Sequence, residues 1–222
     1  SALQHEGKAD LTVFLGDYFD DFYDSEFEAL AMAQWLKENI HNDKRVFLLG
    51  NHDFQYMLPA GTIMCSGYTA AKHRAINSVL TYEDWNKFEY FFAKDNFWFS
   101  HAGITEQWFL HPMLGVSEET IKRTLDEVKE NVRARNGNYN PVWAVDRHRG
   151  GEYDKGGLLW NHSTNSEFFP GITQVIGHTP IRSPFAMSGL ENSKNIFMDT
   201  HLQNVCIIDT ETKEIEWFDV EY

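Results

Sequence analysis

Four short polar motifs each follow directly on an apolar run, and each carries side chains that bind cations or transfer protons. They are Gly-Asp-x-x-Asp at residues 16–20, Gly-Asn-His-Asp at 50–53, Ser-His-Ala-Gly at 100–103 and Gly-His-Thr-Pro at 177–180. Carboxylate and amide oxygens together with imidazole nitrogens form a mixed donor set that suits divalent transition metals. The motifs therefore supply four candidate metal ligands, which are Asp17, Asn51, His101 and His178.

The second motif also offers a proton donor. His52 directly follows Asn51, and a cationic imidazole beside a phosphate ester can protonate the leaving oxygen. A carboxylate such as Asp20 favours the charged imidazole and fixes its tautomer. We therefore predict that His52 and Asp20 form the catalytic pair, whereas Asp53 either supports the ligands or belongs to the loop alone.

The apolar runs in front of the motifs predict the strands that must position these residues. Short apolar segments ended by glycine and polar residues are typical of buried strands that end in loops. We place strands at residues 11–15, 46–49, 96–100 and 174–177. Because ligands bind outside the carboxyl ends of strands in open α/β sheets, the four candidate ligands are predicted to converge on one point.

Helices are predicted between these strands. Ser25 is placed to cap a helix that runs to about Ile40. Further helices are predicted over residues 69–80, 83–94 and 117–135, the last with a capping sequence at its start and Asn-Gly at its end. The front half of the chain therefore alternates strands and helices, which is typical of α/β proteins.

The last third of the chain has a different character. Residues 138–171 are rich in glycine, asparagine, aspartate and aromatics, which predicts a long functional loop region. Three more strands are predicted at residues 195–199, 204–209 and 214–220, with a hairpin turn at 209–213. The whole pattern predicts one domain over residues 1–222, with two mixed β-sheets flanked by helices.

Composition and charge limit the classes of function. The 222 residues contain 19 Lys and Arg against 33 Asp and Glu, a formal net charge of −14. This balance argues against a nucleic-acid-binding surface, which needs a basic footprint, but allows a small phosphorylated substrate. The two cysteines, Cys65 and Cys206, provide no disulfide framework, which favours a cytoplasmic protein, and no apolar run is long enough for a membrane span.

The order of the four motifs resembles that of the calcineurin-like metallophosphoesterases. Within that superfamily it is most similar to the phosphoprotein phosphatase branch, which includes lambda-phage phosphatase and the symmetrical diadenosine tetraphosphatases. The likeness extends from Gly16 to about Asp209 and includes the Leu-Trp pair at residues 159–160 and Met-Asp-Thr at 198–200. It implies an αββα sandwich and a site for two divalent metals.

The resemblance also implies roles for the site residues. Asp17 would bridge the two metals, and Asn51, His101 and His178 would complete the shell of one of them. His52 would be the general acid, with Asp20 as its partner. Manganese is the metal we expect, with iron or zinc as alternatives.

The sequence departs from the family pattern before the first motif. The family carries Asp-x-His-Gly on an earlier strand, and residues 1–15 contain no such motif. We therefore expect the second metal site to be incomplete in these residues, and the first strand to lie before residue 1. By the same likeness, residues 1–8 would fall in the first helix.

Two phosphate-binding arginines of the family are also replaced. Asp21 stands at one of these positions, and His162 stands where an arginine follows the Leu-Trp pair. Arg147 and Arg149 lie in the preceding loop and are candidates, with His162, for substrate binding. The alternative is that this loop is merely solvated.

These observations predict a metal-dependent phosphoesterase. The reaction would be hydrolysis of a phosphomonoester or a nucleotide polyphosphate by in-line attack of metal-activated hydroxide. The partner would be a small phosphorylated substrate or a phosphoprotein. Two alternatives remain open: a metal- or phosphate-binding module without turnover, and a fragment of an active enzyme.

Overall fold

The chain forms two compact units in the computed structural model, which describes residues 2–21, 24–110 and 114–220. The small unit is Leu11–Glu89. The large unit combines Ser1–Asp10 with Tyr90–Tyr222. Both units contain helices and strands, and the predicted α/β class with mixed β-pairing is confirmed.

The small unit begins with a strand–helix–strand segment. Strands β1 (Thr12–Phe14) and β2 (Arg45–Phe47) pair in parallel, and helix α1 (Glu26–Asn39) connects them. The helix starts at a capping box, in which Ser25 accepts a hydrogen bond from the Phe27 amide at 3.2 Å and Glu28 accepts one from the Ser25 amide at 2.7 Å. The prediction from the sequence is confirmed here, although both strands are shorter than predicted.

Three further helices follow in the small unit. They are α2 (Asn51–Met57), α3 (Ala70–Asn77) and α4 (Tyr82–Trp85). The motif at residues 50–53 therefore begins a helix, which the sequence had not predicted. Thr69 caps α3 through a 3.1 Å hydrogen bond from the Lys72 amide, as the predicted start at residue 69 requires.

Aromatic side chains fill the core of the small unit. Phe14 stacks on Phe47 with ring centroids 4.7 Å apart, and Trp35 meets Phe47 edge-on at 5.9 Å. Burial of each large apolar side chain contributes roughly 1.5–3 kcal/mol. The fully buried group of this unit includes Phe47, Leu48, Leu49, Phe54, Tyr56 and Phe88.

The large unit contains a five-stranded mixed sheet. Its strands are β3 (Phe91–Lys94), β4 (Phe97–Ser100), β5 (Thr173–Ile176), β6 (Phe185–Ser188) and β7 (Lys194–Phe197). The order across the sheet is β3-β4-β5-β7-β6, with parallel pairing from β4 through β5 to β7 and antiparallel strands at both edges. The sequence had not predicted β6, all of whose residues are exposed.

The helix predicted over residues 83–94 is wrong. The helical part ends at Trp85, and Phe91–Lys94 forms a strand that pairs antiparallel with β4. Asp95 adopts a left-handed conformation, φ 54°, in the turn that joins the two strands. Phe92 packs against Phe99 on the neighbouring strand at 5.8 Å, so cross-strand aromatic contacts determine the conformation of this segment.

The large unit also contains three α-helices, a hairpin and short 3₁₀ helices at Arg147–Arg149 and Ser163–Asn165. Helices α5 (Glu106–Phe109), α6 (Glu118–Ala134) and α7 (Asn140–Trp143) precede strands β8 (Asn204–Ile208) and β9 (Ile215–Asp219), which pair antiparallel. The predicted surface helix and the predicted hairpin turn are both confirmed. Within the described ranges, no helix combines the length and the apolar character that crossing a membrane requires.

The N-terminal segment of the large unit is a 3₁₀ helix. It covers Ala2–Lys8 instead of the predicted helix over residues 1–8, and Ser1 lies outside the described residues. His5 stacks on Phe218 of β9 with ring centroids 4.5 Å apart, and the Lys8 ammonium lies 4.6 Å from the same ring. These contacts attach the segment to the hairpin.

Candidate metal centre and acid–base residues

Two loops of the small unit approach each other so closely that glycine is required in both. A Cβ added at Gly16 would lie 2.5 Å from the Gly50 nitrogen, and one at Gly50 would collide with Asp17 Oδ1. Gly16 and Asp17 have φ angles of 96° and 60°, the left-handed region that glycine and aspartate tolerate best. The loop after β1 therefore delivers Asp17 to the first turn of α2, next to the buried Asn51.

Asp53 ties these two loops together. Its Oδ2 accepts hydrogen bonds from the amides of Asp17 and Gly50, both at 2.7 Å, and its Oδ1 accepts one from the Tyr18 amide at 2.8 Å. Burial and the neighbouring Asp17 carboxylate raise the pKa of Asp53 well above its usual range. The three N–H donors lower this pKa, but by less. Of its two predicted roles, support of the ligand loop fits these contacts.

His52 lies between Asp17 and Asp20. Its backbone amide donates to Asp17 Oδ1 at 3.1 Å, and its Nδ1 lies 3.4 Å from Asp20 Oδ2 and 3.6 Å from the Cys65 sulfur. Burial lowers the pKa of His52, but Asp20, Cys65 and Asp17 outweigh that effect and raise the pKa to about 11. The imidazole is therefore cationic at neutral pH and can act as a proton donor.

The Asp20 carboxylate is buried and has several donors besides His52. Lys72 Nζ lies 2.9 Å from its Oδ1, the Tyr56 hydroxyl donates to the same oxygen at 2.7 Å, and Gln55 Nε2 donates to Oδ2 at 2.6 Å. Burial and Asp20 raise the pKa of Tyr56, which keeps its hydroxyl protonated and donating. Reasoning from sequence missed Lys72 and Tyr56, because neither stands in a local pattern with Asp20.

In the large unit, sheet register brings two predicted ligands together. His101 follows β4 and His178 follows β5, and Ser100 pairs with Ile176 at the ends of these parallel strands. His101 Nε2 lies 3.1 Å from His178 Nδ1, and both side chains are buried. Imidazole nitrogens are common ligands of transition-metal ions, and these two lie close to each other.

A cluster of cationic and imidazole groups lies beside His178. Arg149 Nη2 donates to the His178 carbonyl at 2.9 Å and to the Thr179 hydroxyl at 3.2 Å. The rings of His148 and His162 stack with centroids 5.1 Å apart. Burial, followed by the charges of Arg149 and His148, lowers the pKa of His162, so this imidazole is neutral at physiological pH.

The Asp146 carboxylate forms hydrogen bonds with several residues of this cluster and its loop. It is fully buried and accepts hydrogen bonds from His148 Nδ1 at 2.9 Å, from the His162 amide at 3.2 Å and from Asn165 Nδ2 at 2.7 Å. Burial raises the pKa of Asp146, but the donors outweigh it and the net direction is downward. The ionised Asp146 carboxylate therefore fixes the loop that carries the candidate substrate-binding residues, a role that no sequence pattern indicated.

Arg147 differs from Arg149 although the sequence proposed both. Its guanidinium forms a 2.8 Å ion pair with Asp154, and both side chains are largely exposed. Such an exposed pair is typical of a solvated loop surface. Of the three candidates for substrate binding, Arg149 contacts His178 and Thr179, His162 stacks on His148, and Arg147 lies on the loop surface.

The comparisons with solved structures reveal the same fold in known phosphatases. One similar structure is a cold-active protein tyrosine phosphatase at 1.1 Å, with 18% identity and a TM-score of 0.52. Another is the cold-active protein-tyrosine phosphatase of a psychrophilic Shewanella species, with 17% identity and a TM-score of 0.52. Each match covers 90% of this chain but 64% and 66% of the respective structure, so the chain spans just under two thirds of their length.

The comparisons of sequence identify the family. No curated protein matches the chain significantly. The family model for calcineurin-like phosphoesterases matches residues 1–196, which is most of the sequence. The predicted resemblance is thereby confirmed, and the chain belongs to the calcineurin-like phosphoesterase family.

Proposed function

We propose that this chain is a metal-dependent phosphoesterase that hydrolyses a phosphomonoester by in-line displacement. The observation that carries the proposal is the His52 imidazole, held cationic by Asp20 at 3.4 Å next to the Asp17 loop, in a calcineurin-like chain. Such an arrangement provides a proton donor beside a set of metal-ligand side chains, which is what hydrolysis of an unreactive phosphate ester requires.

From the likeness to the family, we further propose that Asp17, Asn51, His101 and His178 are metal ligands, with manganese as the first metal to test. Their carboxylate, amide and imidazole groups are a donor set that suits manganese, iron or zinc. When bound, such a cation offsets the charge of the phosphoryl oxygens and lowers the pKa of a water ligand.

His52 is proposed as the general acid. Its Nδ1 faces Asp20, so the other ring nitrogen, Nε2, is the atom that donates a proton to the leaving oxygen. Lys72 Nζ lies 2.9 Å from Asp20 and holds this carboxylate in place beside His52. The carboxylate therefore holds the ring in one tautomer while His52 alternates between its charged and neutral forms.

The substrate is proposed to be a phosphomonoester, with aryl phosphates as the first to test. The similar structures are protein tyrosine phosphatases, which favours phosphotyrosine-like compounds and a phosphoprotein over a nucleotide polyphosphate. Arg149 and His162 are proposed to contact the phosphate-bearing end of the substrate. Asp21 stands where the family carries an arginine, and an acidic side chain there repels a dianion.

The test is turnover of p-nitrophenyl phosphate with added manganese. Replacement of the general acid in His52→Ala is expected to reduce kcat by about 100-fold or more. His41→Ala serves as the control, because His41 is an exposed histidine of the same unit and its ring lies 3.5 Å from Asp84, which is not a candidate site residue. Circular dichroism of both variants separates a loss of chemistry from a loss of folding.

Metal binding is measured separately by calorimetry with manganese chloride. His178→Ala is expected to weaken manganese binding at least about tenfold if it is a ligand. Turnover that is unchanged in His52→Ala overturns the assignment of the acid. Tight manganese binding by the unaltered chain without any turnover would instead identify a binding module.

A further inference from the structure

The large unit contains a cavity far along its sheet from the histidine pair. It has a volume of about 360 Å³ and is lined in part by Phe97, Thr173 and Lys194, which are the first residues of β4, β5 and β7. His101 and His178 instead follow the last residues of β4 and β5. The cavity therefore lies at the amino ends of the strands, opposite the end that carries the candidate metal ligands.

The side chains around this cavity are basic and polar. Lys194 and Lys213 both line it, together with the polar residues Ser188, Ser193 and Asn96. Among the described residues that line the cavity, none is acidic. Two lysines in one cavity stand out in a chain whose formal net charge is −14.

Acidic residues near the cavity in sequence are held elsewhere or do not line it. Asp95 precedes Asn96, but its Oδ2 accepts a hydrogen bond from the Thr210 hydroxyl at 2.7 Å. Glu191 and Glu214 flank the two basic turns and are absent from the described lining. Among the described lining residues, no carboxylate therefore offsets the positive charge of the two lysines.

Lys194 directly follows a well-formed turn, and Lys213 lies within another. In the β6–β7 turn, the Gly189 amide donates to the Ser193 carbonyl at 3.0 Å, and Ser193 is only 4% exposed. In the β8–β9 turn, the Lys213 amide donates to the Asp209 carbonyl at 2.9 Å. The two charges are therefore presented from fixed backbone, which lowers the entropic cost of binding an anion between them.

We propose that this cavity binds a small organic phosphate through its phosphoryl group, at a site separate from the candidate metal centre. Lysine ammonium groups bind phosphoryl oxygens as point charges, and the hydroxyl and amide groups supply further hydrogen bonds. The volume falls in the range of about 300–1,000 Å³ that is typical of small-molecule sites. A phosphate group alone fills only part of it, and Phe97 and Ile215 provide apolar wall for an organic body.

The test is calorimetry of the metal-free protein with glycerol 2-phosphate. The double variant Lys194→Met/Lys213→Met is expected to weaken binding by about tenfold or more, since both charge-assisted contacts are lost. The control is Lys44→Met/Lys87→Met, which removes two exposed lysines of the small unit and changes the net charge equally. The single variant Lys213→Met, in an exposed turn, gives the same direction of effect if the double variant is unstable.

Amide NMR spectra locate the bound probe independently of affinity. Residues 188–194 and 213–215 are expected to shift on titration with glycerol 2-phosphate. Shifts confined to the segments around His101 and His178, an equal loss in the control variant, or no binding at millimolar concentration each overturn the proposal. Because metal is absent, none of these outcomes depends on whether the chain is a phosphoesterase.

A second titration with inorganic phosphate distinguishes the source of the phosphoryl group. Tighter binding of glycerol 2-phosphate, with lysine dependence, supports an organic phosphate as the ligand. Equal affinity for the two probes, with the same lysine dependence, overturns the proposal that the ligand is an organic phosphate and identifies a site for inorganic phosphate.

Discussion

The two units hold their candidate site residues by different physical means. In the small unit, Asp53 accepts hydrogen bonds from three backbone amides, and Asp20 accepts hydrogen bonds from Lys72, Tyr56 and Gln55. In the large unit, His101 and His178 meet because parallel strands end in register. A hydrogen-bond network fails when one member is removed, whereas sheet register survives substitution of a side chain. Stability and chemistry are therefore coupled in the first unit and separable in the second.

The largest expected effect comes from removing the cation beside Asp20. Lys72→Met leaves a buried carboxylate without its ammonium partner, and we expect the free energy of unfolding to fall by about 3–5 kcal/mol. Urea denaturation measures the loss. Lys122→Met, which removes an exposed ion pair with Glu118, is the control and should cost about 0.5 kcal/mol or less. Equal losses in the two variants would contradict the network interpretation.

A somewhat smaller effect is expected at Asp53, whose side chain joins the loop at Gly16 to the loop at Gly50 and is called the clamp below. Asp53→Ala removes the acceptor of three amides, and we expect a loss of about 2–3 kcal/mol in the free energy of unfolding. Manganese affinity should fall in parallel, because the Asp17 loop loses its support. Asp43→Ala, at an exposed position of the same unit, is the matched control. A fully stable Asp53→Ala protein with weakened manganese binding would show that the clamp positions ligands without stabilising the fold.

A third carboxylate of the small unit, Asp84, tests whether the stabilisation from such networks depends on pH. Burial raises the pKa of Asp84, but hydrogen bonds from Lys37 and Thr81 outweigh it and lower the pKa to about 2. The stabilisation is therefore fully present above about pH 4 and is lost as the pH falls towards 2. After allowance for the partial exposure of Lys37, we expect about 1–2 kcal/mol. Thermal denaturation between pH 2 and 7 should show this window in the unaltered chain and lack it in Asp84→Asn.

The smallest effects are expected in the large unit. Arg147→Ala removes an exposed ion pair and should change the free energy of unfolding by less than about 0.5 kcal/mol. Arg149→Ala removes two hydrogen bonds to the segment around His178 and should cost about 1 kcal/mol. For p-nitrophenyl phosphate, Arg149→Ala should raise KM and Arg147→Ala should not. The reverse order of KM values would exchange the roles of the two arginines.

Local patterns in the sequence predicted many of the helices and strands. Ser25 and Ser117 begin helices because their side chains accept hydrogen bonds from amides of the first turn, a signal that four adjacent residues contain. The strand at Phe91–Lys94 was mistaken for helix because its aromatics also match helical spacing, and only pairing with β4 decides between the two. Strand β6 escaped prediction because both of its faces are exposed, so no alternation of apolar residues marks it.

Residues of the candidate site were predictable only where they belong to short sequence motifs. Asp17, Asn51, His52, His101 and His178 stand in short recognisable strings, and the sequence named them all. Lys72 lies 52 residues from Asp20, on helix α3, so only the folded chain reveals the ion pair. The same limit applies to Asp146, whose side-chain partners come from two separate turns, at residues 147–149 and 162–165.

The contact between Gly16 and Gly50 has a consequence for engineering. The two glycines set how near the Asp17 loop comes to the helix that starts at Asn51, because any Cβ at either position would collide, and the Asp53 side chain holds the two segments at that distance. Side chains of the surrounding core can then be exchanged without altering that spacing. A combinatorial library that varies the aromatic core while holding these two positions constant should therefore yield new stabilities and unchanged ligand geometry.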